Sequence, residues 1–338
     1  MPRTKKLICL AFVVIPFAYG CSTPAGGRWP REGVVSPDEA SAPAQIVPGK
    51  NLLLSLAVDR NDYLLGEPVY VTLLLENTDK EPQKVFGSLD PTDGAVSIII
   101  KEPDGRQTPF TPFGEADHDA SILIDLPPSG VLGRKVAVFF DANGWTFTTP
   151  GKYELTAVYR WPISQNKFAE TISSSVSIEI SSSNDGSGEF LIGHQDKPSL
   201  EAGKFLTWQA GDHLVEGHAH LETLLERWPK SPLSDFVLSA FARSYSKSFR
   251  NYVKGEVRPP DCTLALDHLG RVTGGRLPAN LQIQNALTRS RCAAKDRRFN
   301  NAARHLQQVR KIAGDRPEFR GILRRVQEME QAIRRPEG

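Results

Sequence analysis

The spacing of apolar residues changes once along this chain, and that change limits the folds that the sequence can form. Between residues 51 and 181, apolar side chains alternate with other residues, as in the segment PVYVTLLLE at 68–76. A period of two is typical of strands that bury one face. Beyond a Ser/Gly-rich break, the spacing moves toward 3.6 residues, which is typical of amphipathic helices. The sequence therefore predicts a multidomain chain, β first and α second.

The β region is predicted to be a sandwich that spans residues 51–181. Seven to nine short strands are separated by turn signals, such as the Glu-Pro-Asp-Gly run that ends at residue 105. The segment KYELTAVYR at 152–160 alternates most cleanly. Short strands with regular turn punctuation are typical of all-β sandwiches.

The helical region is predicted to span residues 190–334, after a linker at 182–189. The sequence SSSNDGSG at 181–188 contains only small and polar residues, a composition that is typical of loops. The expected helices lie at 214–228, 233–249, 261–272, 279–295 and 317–334.

Residues 1–20 predict a secretory signal peptide. Arg3, Lys5 and Lys6 precede an apolar run at 7–17, which is shorter than the about 20 residues of a membrane-spanning helix. A basic start, a short apolar core and small residues after it are the signature of a segment that is removed on export. The sequence therefore predicts an exported protein.

Residues 21–50 predict a tether between the processed end and the β region. The stretch from Ser22 to Lys50 holds five prolines and four glycines and has no apolar period. Such a segment buries too little apolar surface to offset the entropy lost on ordering.

Two of the four cysteines are predicted to form a disulfide. Cys9 leaves with the signal peptide, and Cys21 would begin the mature chain. An antiparallel pair of the helices 261–272 and 279–295 brings Cys262 toward Cys292, and disulfides persist in an oxidising compartment. Two buried thiols are the alternative.

Positive charge is concentrated near the C-terminus. The whole chain has a net charge of +2, yet residues 284–338 contain 14 Lys or Arg and 6 Asp or Glu. We take Arg297, Arg298, Arg324 and Arg325 as candidates for binding a partner. The alternative is a solvated, arginine-rich helix surface. Nucleic acid is not an expected partner, because the basic segment offers few aromatic residues and the chain is exported.

The sequence lacks the motifs of common enzymes, and we expect no catalytic activity, cofactor or metal. It has no GxSxG, HExxH, P-loop or GxGxxG motif. Asp212, Glu216 and His220 share one helical face, but a solvated face is the favoured interpretation. The acidic triplet at 117–119 is interpreted in the same way, as a loop.

Trp145 and Trp161 lie near predicted strand ends. They could form an aromatic platform for a glycan, but burial in the core is favoured.

The β region resembles bacterial immunoglobulin-like domains. The resemblance rests on LLGEPVYVTLLLEN at 64–77 and TPGKYELTAVY at 149–159. It implies an immunoglobulin-like β-sandwich and a tyrosine corner, in which the hydroxyl of Tyr153 returns to upstream backbone. The chain departs from the pattern in having no cysteine pair in the sandwich and a long insertion at 103–119.

The helical region resembles the tetratricopeptide-like repeats of bacterial envelope proteins. The resemblance rests on HLETLLERWPKSPLSD at 220–235, with a second copy at 286–312. It implies stacked helical hairpins that present a surface to a protein partner.

The end of the signal peptide resembles a bacterial lipobox, although Ala18 and Tyr19 depart from its usual residues. The resemblance implies acylation of Cys21 by diacylglycerol and palmitate, and a membrane-anchored protein that faces the periplasm. Ser22 follows the cysteine, which implies the outer membrane. Simple secretion after cleavage by ordinary signal peptidase is the alternative.

These features predict a non-catalytic envelope lipoprotein that acts as a protein-interaction or scaffold module. One alternative is a proteinase-inhibitor-like or glycan-binding module that acts through the sandwich loops, with 103–119 as the reactive loop. Another is an unrecognised hydrolase.

Overall fold

A computed structural model describes residues 45–114, 122–164, 167–251 and 255–334. Over these ranges, strands dominate the first half and helices the second, which confirms the predicted β-then-α order. Residues 44–338 group by contacts into one compact unit. None of the helices in the described ranges combines the length and apolarity that crossing a bilayer requires.

The β half contains strands β1 to β14 within the described ranges. Their bounds are β1 Gln45–Pro48, β2 Leu52–Val58, β3 Asp62–Leu64, β4 Tyr70–Asn77, β5 Gln83–Phe86, β6 Val96–Lys101, β7 Gln107–Pro109, β8 Leu123–Leu126, β9 Val131–Ala137, β10 Phe140–Asp141, β11 Gly144–Trp145, β12 Gly151–Ser164, β13 Lys167–Ile172 and β14 Val176–Ser181.

Two main sheets share one core. The larger sheet has the order β1-β13-β12-β14-β3, and β6 and β7 extend it from the other side of β12. The smaller sheet is an antiparallel β2-β4-β9 arrangement, and β2 packs against β12, β13 and β14. Alternation fixes which face is buried: in β12, Tyr153, Leu155, Ala157 and Tyr159 are all buried, as the period of two predicts.

The hydrogen bond predicted for Tyr153 is present. Its hydroxyl donates to the carbonyl oxygen of Thr149 at 2.9 Å, and the ring is buried against Phe147 with centroids 5.0 Å apart. The contact ties the turn before β12 to the strand itself, so it holds the point where the chain enters the sheet.

The last part of the predicted tether is a strand. Residues 45–48 form β1 and pair in parallel with β13, and the amide of Gly49 donates to the carbonyl of Glu170 at 2.7 Å. Composition missed this element because Val47 is its only residue packed against the core. Backbone pairing to a sheet edge, which composition does not report, holds the segment in place.

The helical half contains eight α-helices and a short hairpin in the part of the chain that the structure describes. Their bounds are α1 Ser187–Ile192, α2 Lys197–Trp208, α3 Val215–Arg227, α4 Pro232–Tyr245, β15 Phe249–Asn251, β16 Glu256–Arg258, α5 Cys262–Arg271, α6 Ala279–Lys295, α7 Phe299–Ala313 and α8 Arg320–Arg334, the last preceded by a 3-10 turn at Pro317–Phe319.

The helices pack as consecutive pairs. The extensive contacts are those of α2 with α3, α4 with α5, and α6 with α7, and α8 then packs on α7. Gly217 permits the first pair to approach closely, because a Cβ there would lie 2.5 Å from the backbone of Glu201. Helix α4 ends at Tyr245, four residues before the predicted end, and Phe249 enters the β15–β16 hairpin instead.

The Ser/Gly-rich segment at 182–189 is only partly exposed, because three of its eight residues are buried against neighbouring elements. Ser183 and Ser187 are buried, and the hydroxyls of Ser187 and Ser231 lie 2.8 Å apart in a hydrogen bond. Gly188 lies beneath Leu65 so closely that a Cβ would be 2.3 Å from its carbonyl oxygen. Small residues are used here for close approach, which a loop composition does not reveal.

The β and helical halves are also joined by a buried ion network, here called the Glu67 network. The side chain of Glu67 is fully buried and accepts hydrogen bonds from Arg276 Nε and Nη2 at 3.2 and 3.1 Å. Arg60 pairs with the same carboxylate and donates to the carbonyl of Arg276 at 2.7 Å. Arg276 also reaches the exposed carboxylate of Asp62.

Candidate interaction surface of the helical half

A disulfide joins Cys262 and Cys292, with their Cα atoms 5.3 Å apart. Cys262 is the first residue of α5, where Asp261 caps the helix by accepting from the amide of Leu264 at 2.9 Å. Cys292 lies in the last turn of α6. The predicted bond between the start of one helix and the end of the next is confirmed, and the alternative of two thiols is wrong.

The four candidate arginines fall into two separated pairs. Arg297 and Arg298 lie in the turn before α7, where Arg298 pairs with Asp296 at 2.6 Å. Arg324 and Arg325 are exposed on α8, near the turn at the other end of α7. The fifteen residues of α7 lie between the two pairs along the chain.

Several other candidate residues are placed by the structure in local contacts. Asp212 forms an ion pair with Arg258, Glu216 pairs with Lys197, and His220 stacks on Phe190 with centroids 4.3 Å apart. In the described ranges, no group of His, Cys, Asp and Glu side chains has a metal-binding arrangement.

Trp145 and Trp161 are both buried. Trp145 donates from Nε1 to the hydroxyl of Ser199 at 3.0 Å, and Trp161 stacks on Tyr159. The two rings therefore belong to the core and offer no exposed platform for a sugar. Cys21 and the acidic triplet at 117–119 lie outside the described residues.

A groove with an aromatic floor lies between α3, α4 and α5, and it is here called the aromatic groove. Its volume is about 290 Å³, and its lining residues are Glu222, Leu225, Glu226, Phe241, Tyr245, His268 and Arg271. The ring of His268 stacks on those of Phe241 and Tyr245, at centroid distances of 5.4 and 5.6 Å. Glu222 and Glu226 are exposed one turn apart on α3, so the α3 side of the rim is negative, whereas the exposed Arg271 adds one positive charge from α5.

The imidazole of His268 is a polar group inside an otherwise apolar floor. Burial, followed by the positive charge of Arg271, lowers the pKa of His268 below its usual range, so the ring is neutral at pH 7. Its Nδ1 is buried and has no hydrogen-bond partner among the described residues. The groove therefore presents aromatic faces to a ligand, and the unpaired Nδ1 lies beneath the surface.

A second cavity of about 390 Å³ also borders Tyr245 and lies beside the disulfide. It is lined by Tyr245, Arg258, Pro259, Pro260, Asp261, Cys262, Thr263, Lys295 and Asp296. Arg258 lies over the Tyr245 ring, 5.0 Å from its centroid, and donates to the carbonyl of Ser244 at 3.1 Å. These contacts hold Arg258 against the end of α4, where Tyr245 lines both cavities.

Sequence reasoning did not select the groove residues. Phe241 and Tyr245 belong to the helix expected at 233–249, and His268 belongs to no motif. The available signal was the pair Glu222 and Glu226, one turn apart on the polar side of α3. Only the packing of three helices brings these carboxylates beside the rings.

Comparisons with known proteins do not assign the chain to a family. No family model matches the sequence, and no curated relative is found. Among solved structures, a DNA glycosylase AlkC of Pseudomonas fluorescens bound to DNA is similar at 15% identity and a TM-score of 0.25. That match covers 39% of this chain and 31% of the glycosylase.

Two other solved structures match at a comparable level. A β-glucosidase of Listeria innocua with isofagomine has 11% identity and a TM-score of 0.22, over 38% of this chain and 16% of the enzyme. The CARDB domain of the PF1109 protein of Pyrococcus furiosus, in complex with metal ions, has 11% identity and a TM-score of 0.22, over 39% of this chain and 94% of the domain. Similarities this weak carry no argument about function.

Proposed function

We propose that this chain is an exported, non-catalytic envelope lipoprotein whose helical half binds a protein partner in the aromatic groove. The groove is the observation that carries the proposal. Its floor combines Phe241, Tyr245 and His268, and aromatic residues are enriched at the energetic centres of protein interfaces. The negative rim of Glu222 and Glu226 fits a partner segment with an apolar anchor beside a Lys or Arg.

The disulfide in the helical half supports the proposed location outside the cytosol. The disulfide between Cys262 and Cys292 is the kind of bond that persists outside the cytosol. Together with the signal sequence at 1–20, it supports export, with Cys21 as the acylated first residue of the mature chain. Mass spectrometry of the mature N-terminus tests this step: an acylated Cys21 supports anchoring, and an unmodified N-terminus contradicts it.

The architectural part of the proposal is an immunoglobulin-like β-sandwich followed by tetratricopeptide-like hairpins. The return of the Tyr153 hydroxyl to Thr149 supports the first half. The packing of α2 with α3, α4 with α5, and α6 with α7 supports the second. In this arrangement, the sandwich holds the helical pairs and the pairs present the groove.

Site-specific photo-crosslinking tests the partner-binding proposal. A photoreactive residue at position 226 should capture a single partner in intact envelopes, and the double charge reversal of Glu222→Lys and Glu226→Lys should lower the yield at least fivefold. Glu328 on α8 is exposed and lies away from the groove, so a photoreactive residue there and Glu328→Lys are the matched controls. Equal yields at 226 and 328, or no product at either, would contradict the proposal.

A further inference from the structure

Four basic side chains converge beside the end of α4, and they are here called the basic cluster: Arg243, Lys247, Arg291 and Arg325. Arg243 lies in the last turn of α4, and Lys247 follows two residues after the helix ends. Arg291 on α6 donates from Nη1 to the hydroxyl of Ser246 at 3.0 Å, which holds its guanidinium next to Lys247. Arg325 on α8 is the fourth member, because its positive charge helps to lower the pKa of Arg243, Lys247 and Arg291.

The basic cluster has no carboxylate to balance it within the part of the chain that the structure describes. Its hydrogen-bond partners there are neutral groups: Gln209, which accepts from Arg243 at 2.5 Å, and Ser246. The Nε atom of Arg243 is buried and donates to nothing in the described residues. Burial, followed by the charges of Arg243, Arg291 and Arg325, lowers the pKa of Lys247 to about 8. A protonated Lys247 is therefore repelled by the three arginine charges.

Neither of two simpler explanations accounts for this arrangement. A solvated basic surface does not fit, because Arg243, Lys247 and Arg291 are all partly buried. The negative end of the α4 dipole is worth only about half a charge, against four positive groups. Moreover, the carbonyl of Ser244 in its last turn is already taken by Arg258.

We propose that the basic cluster is a binding site for a phosphate-class oxyanion, supplied either as free phosphate or as the phosphomonoester headgroup of a lipid. Guanidinium forks match the oxygens of such a group two at a time, and a lysine adds a mobile point charge. The unpaired Nε of Arg243 is buried, whereas Arg325 is exposed on α8. The proposal is independent of the aromatic groove, which lies against α3 and α5.

Phosphate titration of the full chain tests the proposal, with Arg325→Gln as the variant and Arg324→Gln as its matched control. Both arginines are exposed neighbours on α8, but only Arg325 acts on the pKa of the other cluster members. By calorimetry at constant ionic strength, Arg325→Gln should weaken phosphate binding about tenfold, because one charged hydrogen bond is lost. Arg324→Gln should change it less than about twofold.

A second variant tests the proposal even if Arg325 contributes little to anion binding. Lys247→Met removes the most repelled charge and keeps the length of the side chain, so the variant should fold. It should raise the melting temperature in chloride and abolish the further increase that phosphate gives the unmodified chain. An equal phosphate response in the two proteins would overturn the proposal.

Vesicle binding distinguishes the two sources of the oxyanion. Phosphatidylcholine vesicles with and without phosphatidic acid are sedimented with the full chain and with both α8 variants. Binding that needs phosphatidic acid and is lost in Arg325→Gln but kept in Arg324→Gln assigns the site to a lipid headgroup. Calorimetric binding of inorganic phosphate without vesicle binding assigns it to the free anion. The proposal is wrong if phosphate acts no differently from chloride and the vesicle result is the same for both variants.

Discussion

The Glu67 network and the basic cluster both contain partly buried arginines, but only the Glu67 network contains a carboxylate. In the Glu67 network, a fully buried carboxylate lies between Arg60 and Arg276. In the basic cluster, the described residues provide only amide and hydroxyl partners. Buried charges are tolerated when an opposite charge accompanies them. The comparison therefore indicates that one site is completed by the chain itself and the other by a bound anion.

The largest expected effect comes from removing the carboxylate that completes the first site. Glu67→Gln removes the buried counter-charge of Arg60 and leaves Arg276 with only the exposed Asp62, and the free energy of unfolding should fall by about 3 kcal/mol. Denaturant titration measures the change. Asp62→Asn is the control: its side chain is 73% exposed, so it should cost less than about 1 kcal/mol. Equal losses would show that burial of the carboxylate does not matter.

The disulfide is expected to support the second site more than the first. It closes a loop with a sequence separation of 30, so Cys262→Ser with Cys292→Ser should lower stability by about 3 kcal/mol. The bond also fixes Cys292, the residue next to Arg291. Because Arg291 belongs to the basic cluster, phosphate binding should weaken in the same variant. Thermal unfolding and calorimetry measure both effects. Unchanged phosphate affinity would separate the disulfide from the cluster.

A smaller effect is expected from pH, and its sign follows from Lys247. Folding lowers the pKa of this lysine from 10.5 to about 8, so the unfolded chain binds more protons between these pH values, and stability due to this group rises with pH there. Lys247→Met should lack that rise and should be more stable at pH 7, by about 1 kcal/mol after allowance for solvent screening.

The measurement is the difference in melting temperature between the two proteins from pH 7 to pH 10.5. Phosphate at saturation should remove the rise from the unmodified chain, because the anion relieves the repulsion. A difference that stays constant across this range would contradict the assigned pKa.

The smallest expected effect is at the exposed edge of the cluster. Arg325→Gln should change the free energy of unfolding in chloride by less than about 0.5 kcal/mol, because the residue is exposed on α8. Denaturant titration in chloride and then in phosphate checks this. A large loss in chloride would mean that Arg325 serves the fold rather than a ligand.

Much of the architecture could be predicted from the sequence because it depends on local periodicity. The alternation in β12 identified its buried face, and the helix expected at 279–295 has those bounds in the structure. The disulfide was predicted from the antiparallel pairing of the helices at 261–272 and 279–295 and from an oxidising compartment. Each of these predictions depends on a pattern within a short stretch of sequence or on the pairing of two neighbouring helices.

The remainder depends on contacts that no local pattern carries. Strand β1 is held by backbone pairing with a distant strand, and Ser187 is buried by a partner 44 residues away. Arg243 and Arg291 lie on different helices, and each alone looks like an ordinary polar helix residue. Arg325 was chosen for the local excess of charge, whereas its neighbours in space are cations from α4 and α6.

The attachment of β1 has a mechanical consequence. Any tension applied at the N-terminal end of the chain reaches this four-residue strand before it reaches the rest of the sheet. Its parallel ladder to β13 lies at the edge, and the buried strands follow only after Gly49. Under load, β1 should therefore detach from β13 first and lengthen the extended part of the chain by a few residues. The rest of the sheet would stay folded while this strand detaches.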